Sequence, residues 1–142
     1  MTELVRLLDV NILISLTNPS HVHHQRTHNW FNQVDNWATT PMTEVGFIRL
    51  MLNPIVAGVN LTTTEVLSVW RELTELPGHV RWSDDTTLAH PAIDLSGLVG
   101  HKQVTDFHLV NLAAQHSGVF ATLDRAIIAV LVGSDRKFVE AI

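Results

Sequence analysis

Four acidic residues each head an apolar stripe at helical spacing, and together they define the chemistry open to this chain. Asp106 is followed three, four and seven positions later by Leu109, Val110 and Ala113. Glu44 leads Phe47, Ile48 and Met51 in the same way, Asp124 leads Ile127, Ile128 and Leu131, and Asp9 leads Ile12, Leu13 and Leu16. That spacing sets each acid and its followers on one helix face. Each acid also lies just after an expected strand or in the first turn of an expected helix. In an open α/β sheet such positions gather at the carboxyl edge of the strands, where ligands bind.

Carboxylates that met there would repel one another. Two charges about 4 Å apart cost roughly 4 kcal/mol at an effective dielectric of about 20. Protonation relieves that, and so does a hard divalent cation. Oxygen ligands in a chain without cysteine suit Mg2+ or Mn2+. Mg2+ keeps several waters and takes one or two carboxylates directly, which leaves the other acids to act through water or as bases. Such a site activates water and stabilises charge on a phosphoryl oxygen, the chemistry of phosphodiester hydrolysis.

Capping is the plainer account of any one of these acids. Asp and Glu in a first helical turn satisfy free N–H groups and suit the helix dipole, for about 0.3–1 kcal/mol each. Glu65 is such a case, because its stripe (Ser68, Val69, Glu72) is mixed and Thr62 stands at capping-box distance. Two further acids imitate the pattern. Asp135 precedes Phe138, Val139 and Ile142 in a segment that reads as strand, and the stripe after Asp85 is broken by Pro91.

The elements that would position the quartet alternate between strand and helix. "ELVRLL", "WATT", "HVRW", "VFATL" and "KFVEAI" read as strands. "VNILISL", "HVHHQRTHNWFNQVDN", "TEVGFIRLML", "TTTEVLSVWRELTEL", "TDFHLVNLAAQHSG" and "DRAIIAVLV" read as helices. Asn53-Pro54, Pro77-Gly78 and Gly118 mark stops. This order predicts an α/β chain, a three-layer α/β/α sandwich on a mainly parallel sheet. With 142 residues, no repeat and no linker, a single domain over 1–142 is expected.

A 46% hydrophobic and 16% charged composition is that of a folded chain. The formal charge of −5 argues against a module that holds nucleic acid by charge alone, but not against an enzyme that meets phosphate through a bound cation. The absence of cysteine excludes disulfides, zinc–thiolate sites and thiol nucleophiles. "MTELVRLLDV" does not have the pattern of a signal peptide, and the longest apolar run, "AIIAVLVG", is too short for a membrane span. The default expectation is a cytoplasmic protein.

In order and spacing, "LLDVNILI", "PMTEVGFIR", "VTDFHLVNLA" and "FATLDRAI" resemble the signature blocks of the PIN domain, and most closely the VapC toxins of prokaryotic toxin–antitoxin pairs. The resemblance covers essentially the whole chain. It implies that Asp9, Glu44, Asp106 and Asp124 are the family's acidic quartet, with no departure at those positions, and that Asp9 and Asp106 are the principal Mg2+ ligands. Asn11 would orient Asp9 or a water, and Thr105 and Thr122 would donate to the acids beside them. It further implies a Mg2+-dependent endoribonuclease that leaves a 5′-phosphate, a homodimer, and inhibition by a small antitoxin protein.

Among the remaining polar residues, Lys102 and His101 stand in a Gly-flanked loop before Asp106 and are candidates for the RNA backbone. A solvated loop lysine is the simpler account. Arg49 lies five residues after Glu44 and points away from it on an ideal helix, and Arg125 could pair with the quartet or with phosphate. His21, His23, His24 and His28 form a cluster that a transition metal could use, although a wet polar helix start explains it as well. Trp30, Phe31, Trp37, Trp70 and Trp82 read as core or interface. Two rival functions remain: an α/β phosphatase or phosphotransferase with Asp9 as nucleophile, and a non-catalytic PIN-like interaction module. The phosphatase reading is weakened by Asn11, since those enzymes often carry a second Asp two residues after the first.

Overall fold

Side-chain alternation along the strands builds the architecture. Leu7, Ala38 and Phe120 pack on one face of the sheet, while their chain neighbours Leu8, Trp37 and Ala121 pack on the other. Both faces are therefore apolar and both must be covered, the condition for a parallel sheet between helical layers. The computed structural model describes residues 3–142, so Met1 and Thr2 of the expected domain lie outside the described residues.

The strands are β1 (Val5–Leu8), β2 (Asn36–Thr39), β3 (His79–Arg81), β4 (Val119–Thr122) and β5 (Val139–Ala141). All four pairings are parallel, in the order β3-β2-β1-β4-β5. The helices are α1 (Val10–Thr17), α2 (His24–Phe31), α3 (Pro41–Met51), α4 (Pro54–Ala57), α5 (Thr63–Thr74), α6 (Val104–Gln115) and α7 (Ala126–Val130). Ile12, Leu13, Phe47, Met51, Val66 and Trp70 of α1, α3 and α5 fill one layer. Phe107, Leu109, Val110 and Leu112 of α6, with Ile127 of α7, fill the other. The expected three-layer sandwich is present, with a wholly parallel sheet.

Chain order places β1 between β2, reached through the first helical layer, and β4, which follows the second. The junction of β1 and β4 is therefore the topological switch point, the crevice where open α/β sheets bind ligands.

The structure differs from the sequence reading at several boundaries. The second expected helix is shorter, because residues 21–23 form a turn and only His24–Phe31 is helical. The short helix α4 was not expected; Asn53 caps it by accepting from Ile55 N, with Pro54 at its first position. The segment at Asp135 is a 3-10 helix over Gly133–Phe138 rather than strand, and the last strand begins only at Val139. Buried Asp135 accepts from Asp94 N at 2.8 Å, which ties the loop before α6 to the chain end. The turn out of α6 is made by Ser117 at φ 56, not by Gly118. Gly118 is required for a different reason: an added Cβ would lie 2.6 Å from the Val5 carbonyl oxygen and 2.8 Å from the Trp82 ring. The capping box at Thr62 and Glu65 forms as expected.

Candidate active site

The register of β1 on β4 pairs Leu8 with Ala121, so Asp9 and Thr122 follow side by side at the carboxyl edge. Alternation turns both toward the α6 layer, the side that Leu7 and Phe120 face. The Thr122 hydroxyl donates to one Asp9 carboxylate oxygen at 2.6 Å, and the other oxygen accepts from Val10 N at 2.7 Å. Asp9 thereby serves as N-cap of α1. The same Thr122 oxygen accepts from Asp124 N at 3.0 Å and from the Asn11 amide at 3.4 Å. One buried hydroxyl thus ties together Asp9, Asn11 and Asp124, and Asn11 also accepts from Leu123 N at 3.3 Å.

Asp106 enters from the first turn of α6. Its carboxyl is pushed up to about 6, first by burial and then by the charges of Asp9 and Asp124. Burial also raises Asp9; the hydrogen bonds from Thr122 and Val10 oppose the rise, and the Asp124 charge adds to it. Three of the four sequence-predicted acids therefore share one electrostatic neighbourhood. Lys102, Asp106 and Asp124 line a pocket of about 250 Å³ there. Among the described residues, none of the three aspartates forms an ion pair with Lys, Arg or His.

Glu44 departs from that grouping. It lies in the first turn of α3, one strand further along the carboxyl edge, and its carboxylate pairs with Arg81 at 3.3 Å. It is not among the charges that shift Asp9 or Asp106. Thr105, expected to donate to an acid, is exposed and lines a separate groove with Arg49. His101 and Arg125 are also exposed.

The donor set fits a hard cation: burial and neighbouring charge disfavour ionised Asp9 and Asp106, Asp124 lies beside them, and among the described residues no protein cation pairs with any of the three. Among the described residues no three acidic or imidazole side chains already surround a common point. Among the described residues the histidines of the cluster do not surround a common point either. His24 Nδ1 lies 2.7 Å from the Ser15 carbonyl oxygen, and His21 Nδ1 accepts from His23 N at 3.1 Å. Trp37, Trp70 and Trp82 are core residues, and half-buried Trp30 donates to Glu140.

Sequence reasoning passes over Asp84, which follows β3 by three residues. It accepts from Met42 N at 3.1 Å and contacts His108 Nε2 at 3.2 Å. No apolar stripe follows it, and the available signal was its place just past the carboxyl end of a strand.

No family model matches the chain. Ribonuclease VapC39 of Mycobacterium tuberculosis is 42% identical to it over 124 residues, which cover 85% of this chain and 89% of that protein. The chain belongs to the VapC ribonuclease family. Ribonuclease VapC38 of the same organism is 38% identical over 123 residues, covering 85% and 86% of the two chains. Ribonuclease VapC44 is 34% identical over 134 residues, covering 92% and 94%. The crystal structure of Mycobacterium tuberculosis VapC20, described as a Sarcin-Ricin loop cleaving toxin, superposes with a TM-score of 0.60 at 10% identity, covering 89% of this chain and 96% of that one. That likeness shows the VapC fold in the five parallel strands and their helices. VapC membership removes the rival reading as a phosphatase of another α/β fold. Among the described residues no helix is long and apolar enough to cross a membrane.

Proposed function

We propose that this chain is a Mg2+-dependent endoribonuclease, with Mn2+ able to substitute, and the toxin of a toxin–antitoxin pair acting in the cytoplasm. The observation that carries the reading is the coupling of Asp9, Asp106 and Asp124 at the switch point, in a chain 42% identical to a ribonuclease. Asp9 and Asp106 would hold the ion, which when bound would supply an activated water and charge stabilisation at the phosphoryl oxygen.

The chain's own residues do the remaining work. Thr122 and Asn11 fix Asp9, so that its oxygens are presented without reorganisation. Asp124 would take a proton from the attacking water, Glu44 would position a second water once released from Arg81, and Lys102, which lines a pocket with Asp106 and Asp124, would meet an RNA phosphate. The test is to sequence the RNA ends made by the purified protein with Mg2+, against an EDTA control and Asp106→Asn. Ends that appear regardless of metal sink the proposal.

Thr122→Val keeps the shape of a buried side chain but removes the hydroxyl that favours ionised Asp9. Cleavage is expected to fall about 10- to 100-fold, as for other residues that orient metal ligands. Because the lost bond opposes the rise of Asp9, the acidic limb of the pH–rate profile moves to higher pH. An unmoved limb would show that the hydroxyl does not act through Asp9.

The toxin reading also carries a homodimer and an antitoxin partner. An apolar patch at the C-terminal end of α3 and around α4 supports a protein interface: Ile55 is 92% exposed, Val59 58% and Leu52 38%. Ile55→Asp is expected to convert a sedimenting dimer to monomer, and a variant that still sediments as a dimer would remove this patch from the interface.

A further inference from the structure

A groove of about 460 Å³ runs beside the aspartates, and the endoribonuclease reading gives it no role. Val10 and Thr105 line it, and these are the chain neighbours of Asp9 and Asp106. The groove is therefore separate from the cluster but adjoins it. Val10, Val45 and Leu109 give it apolar walls, and two side chains of opposite charge line it, Arg49 and Asp84.

The two charges are held differently. Arg49 is exposed, and among the described residues no acid lies within ion-pair distance of it. Asp84 is fixed, with one oxygen on His108 Nε2 and the other on Met42 N. A carboxylate oxygen has two acceptor positions, so each still has one to offer. The geometry points to a subsite for the nucleotide that flanks the scissile phosphate, with its base on the apolar wall, Arg49 on its phosphate, and Asp84 reading N–H donors at the base edge.

This inference rests on the endoribonuclease reading and adds a substrate preference to it. Sequence-specific recognition of RNA targets unstacked bases, which pack on apolar or guanidinium surfaces and are hydrogen-bonded at their edges. The volume suits one small ligand, since such pockets hold about 300–1,000 Å³. An ionised carboxylate only accepts, so it favours bases that donate. Guanine presents two adjacent donors, N1–H and the 2-amino group. Uracil offers one N–H between two carbonyl oxygens, which the carboxylate repels. Guanine is therefore the preferred base at the flanking position and uracil the poorest.

The experiment cleaves a pool of short single-stranded RNAs, randomised around the cut, with the full chain in Mg2+. Steady-state kinetics then follow on the best sequence. Wild type is expected to enrich guanine over uracil at one flanking position at least about tenfold, the discrimination that one good base contact supplies. Asp84→Asn, whose amide oxygen can still accept from Met42 N, loses most of that preference. Arg49→Ala raises KM about tenfold with a much smaller change in kcat, and Arg49→Lys recovers part of the loss. A wild-type sequence profile in Asp84→Asn, or an unchanged KM in Arg49→Ala, overturns the subsite. Run alongside, inactive Asp106→Asn shows that the endoribonuclease reading survives such a result. Cleavage by Asp106→Asn would overturn that reading itself.

Discussion

Asp106→Asn is expected to cleave RNA at least about a thousandfold more slowly than wild type in Mg2+, because several kcal/mol of charge stabilisation at the phosphoryl oxygen depends on the site it anchors. The substitution keeps the shape of the side chain and leaves the helix intact, so the loss should come without unfolding. It removes the carboxylate whose protonation is most strongly displaced, the one that burial and two neighbouring charges push up to about 6. Asp9→Asn should match it. Asp124→Asn should cost less, because Asp124 is exposed and its carboxylate already accepts from Ala126 N at 2.9 Å. Glu44→Gln should cost least, since that acid is turned to Arg81. A series of single-turnover rates on one RNA substrate checks the order. A dominant Glu44 would mean that the Arg81 pair opens when RNA binds, and equal effects at all four would restore a symmetric quartet.

That ranking could not have been read from the sequence, and the reason is physical. The strands and the acids that follow them were legible because each depends on local spacing: "LLD" and "TLD" put a carboxylate past a short apolar run, and the pleat then decides which face it takes. Helical stripes likewise announced α3 and α6, because a face that must be buried leaves a periodic trace. What spacing cannot encode is who meets whom. Arg81 lies 37 residues from Glu44 and Asp84 lies 24 from His108, and only the docking of β3 beside β2 brings these residues to the edge. Gly118 was legible as a glycine position but not for its reason, since the Val5 carbonyl that excludes a side chain there comes from the opposite end of the chain. Short elements failed similarly. One turn of helix, as at α4, has no room for a period, and its boundary is set by Asn53 and Pro54 rather than by hydrophobicity.

The same displaced carboxylate makes the stability of the metal-free protein depend on pH in an unusual direction. Asp106 in the unfolded chain titrates near the ordinary 3.8, and in the folded chain at about 6. The folded state therefore binds more protons across that interval. The contribution is fully present below pH 4 and is lost as pH rises through 6. Asp9, raised by burial, acts in the same direction. Because Asp106 is partly open to solvent, screening reduces the loss assigned to it to about 1 kcal/mol, or a few degrees in Tm for a domain of this size. Asp106→Asn cannot ionise, so in EDTA it should melt with wild type near pH 3.5, below the unfolded value, and above wild type at pH 7.5. Mg2+ should then reverse the order at pH 7.5: at a hundred times its Kd, an ion bound only by the folded state adds about 2.7 kcal/mol. Wild type, with both carboxylates, would gain most of that and the variant little. Thermal melts at two pH values, with and without Mg2+, read all four conditions without any RNA. If the two proteins melt in parallel throughout, Asp106 is neither destabilised by its neighbours nor relieved by a cation. Its place beside Asp9 would then be no more than that of a first-turn acid next to a strand end.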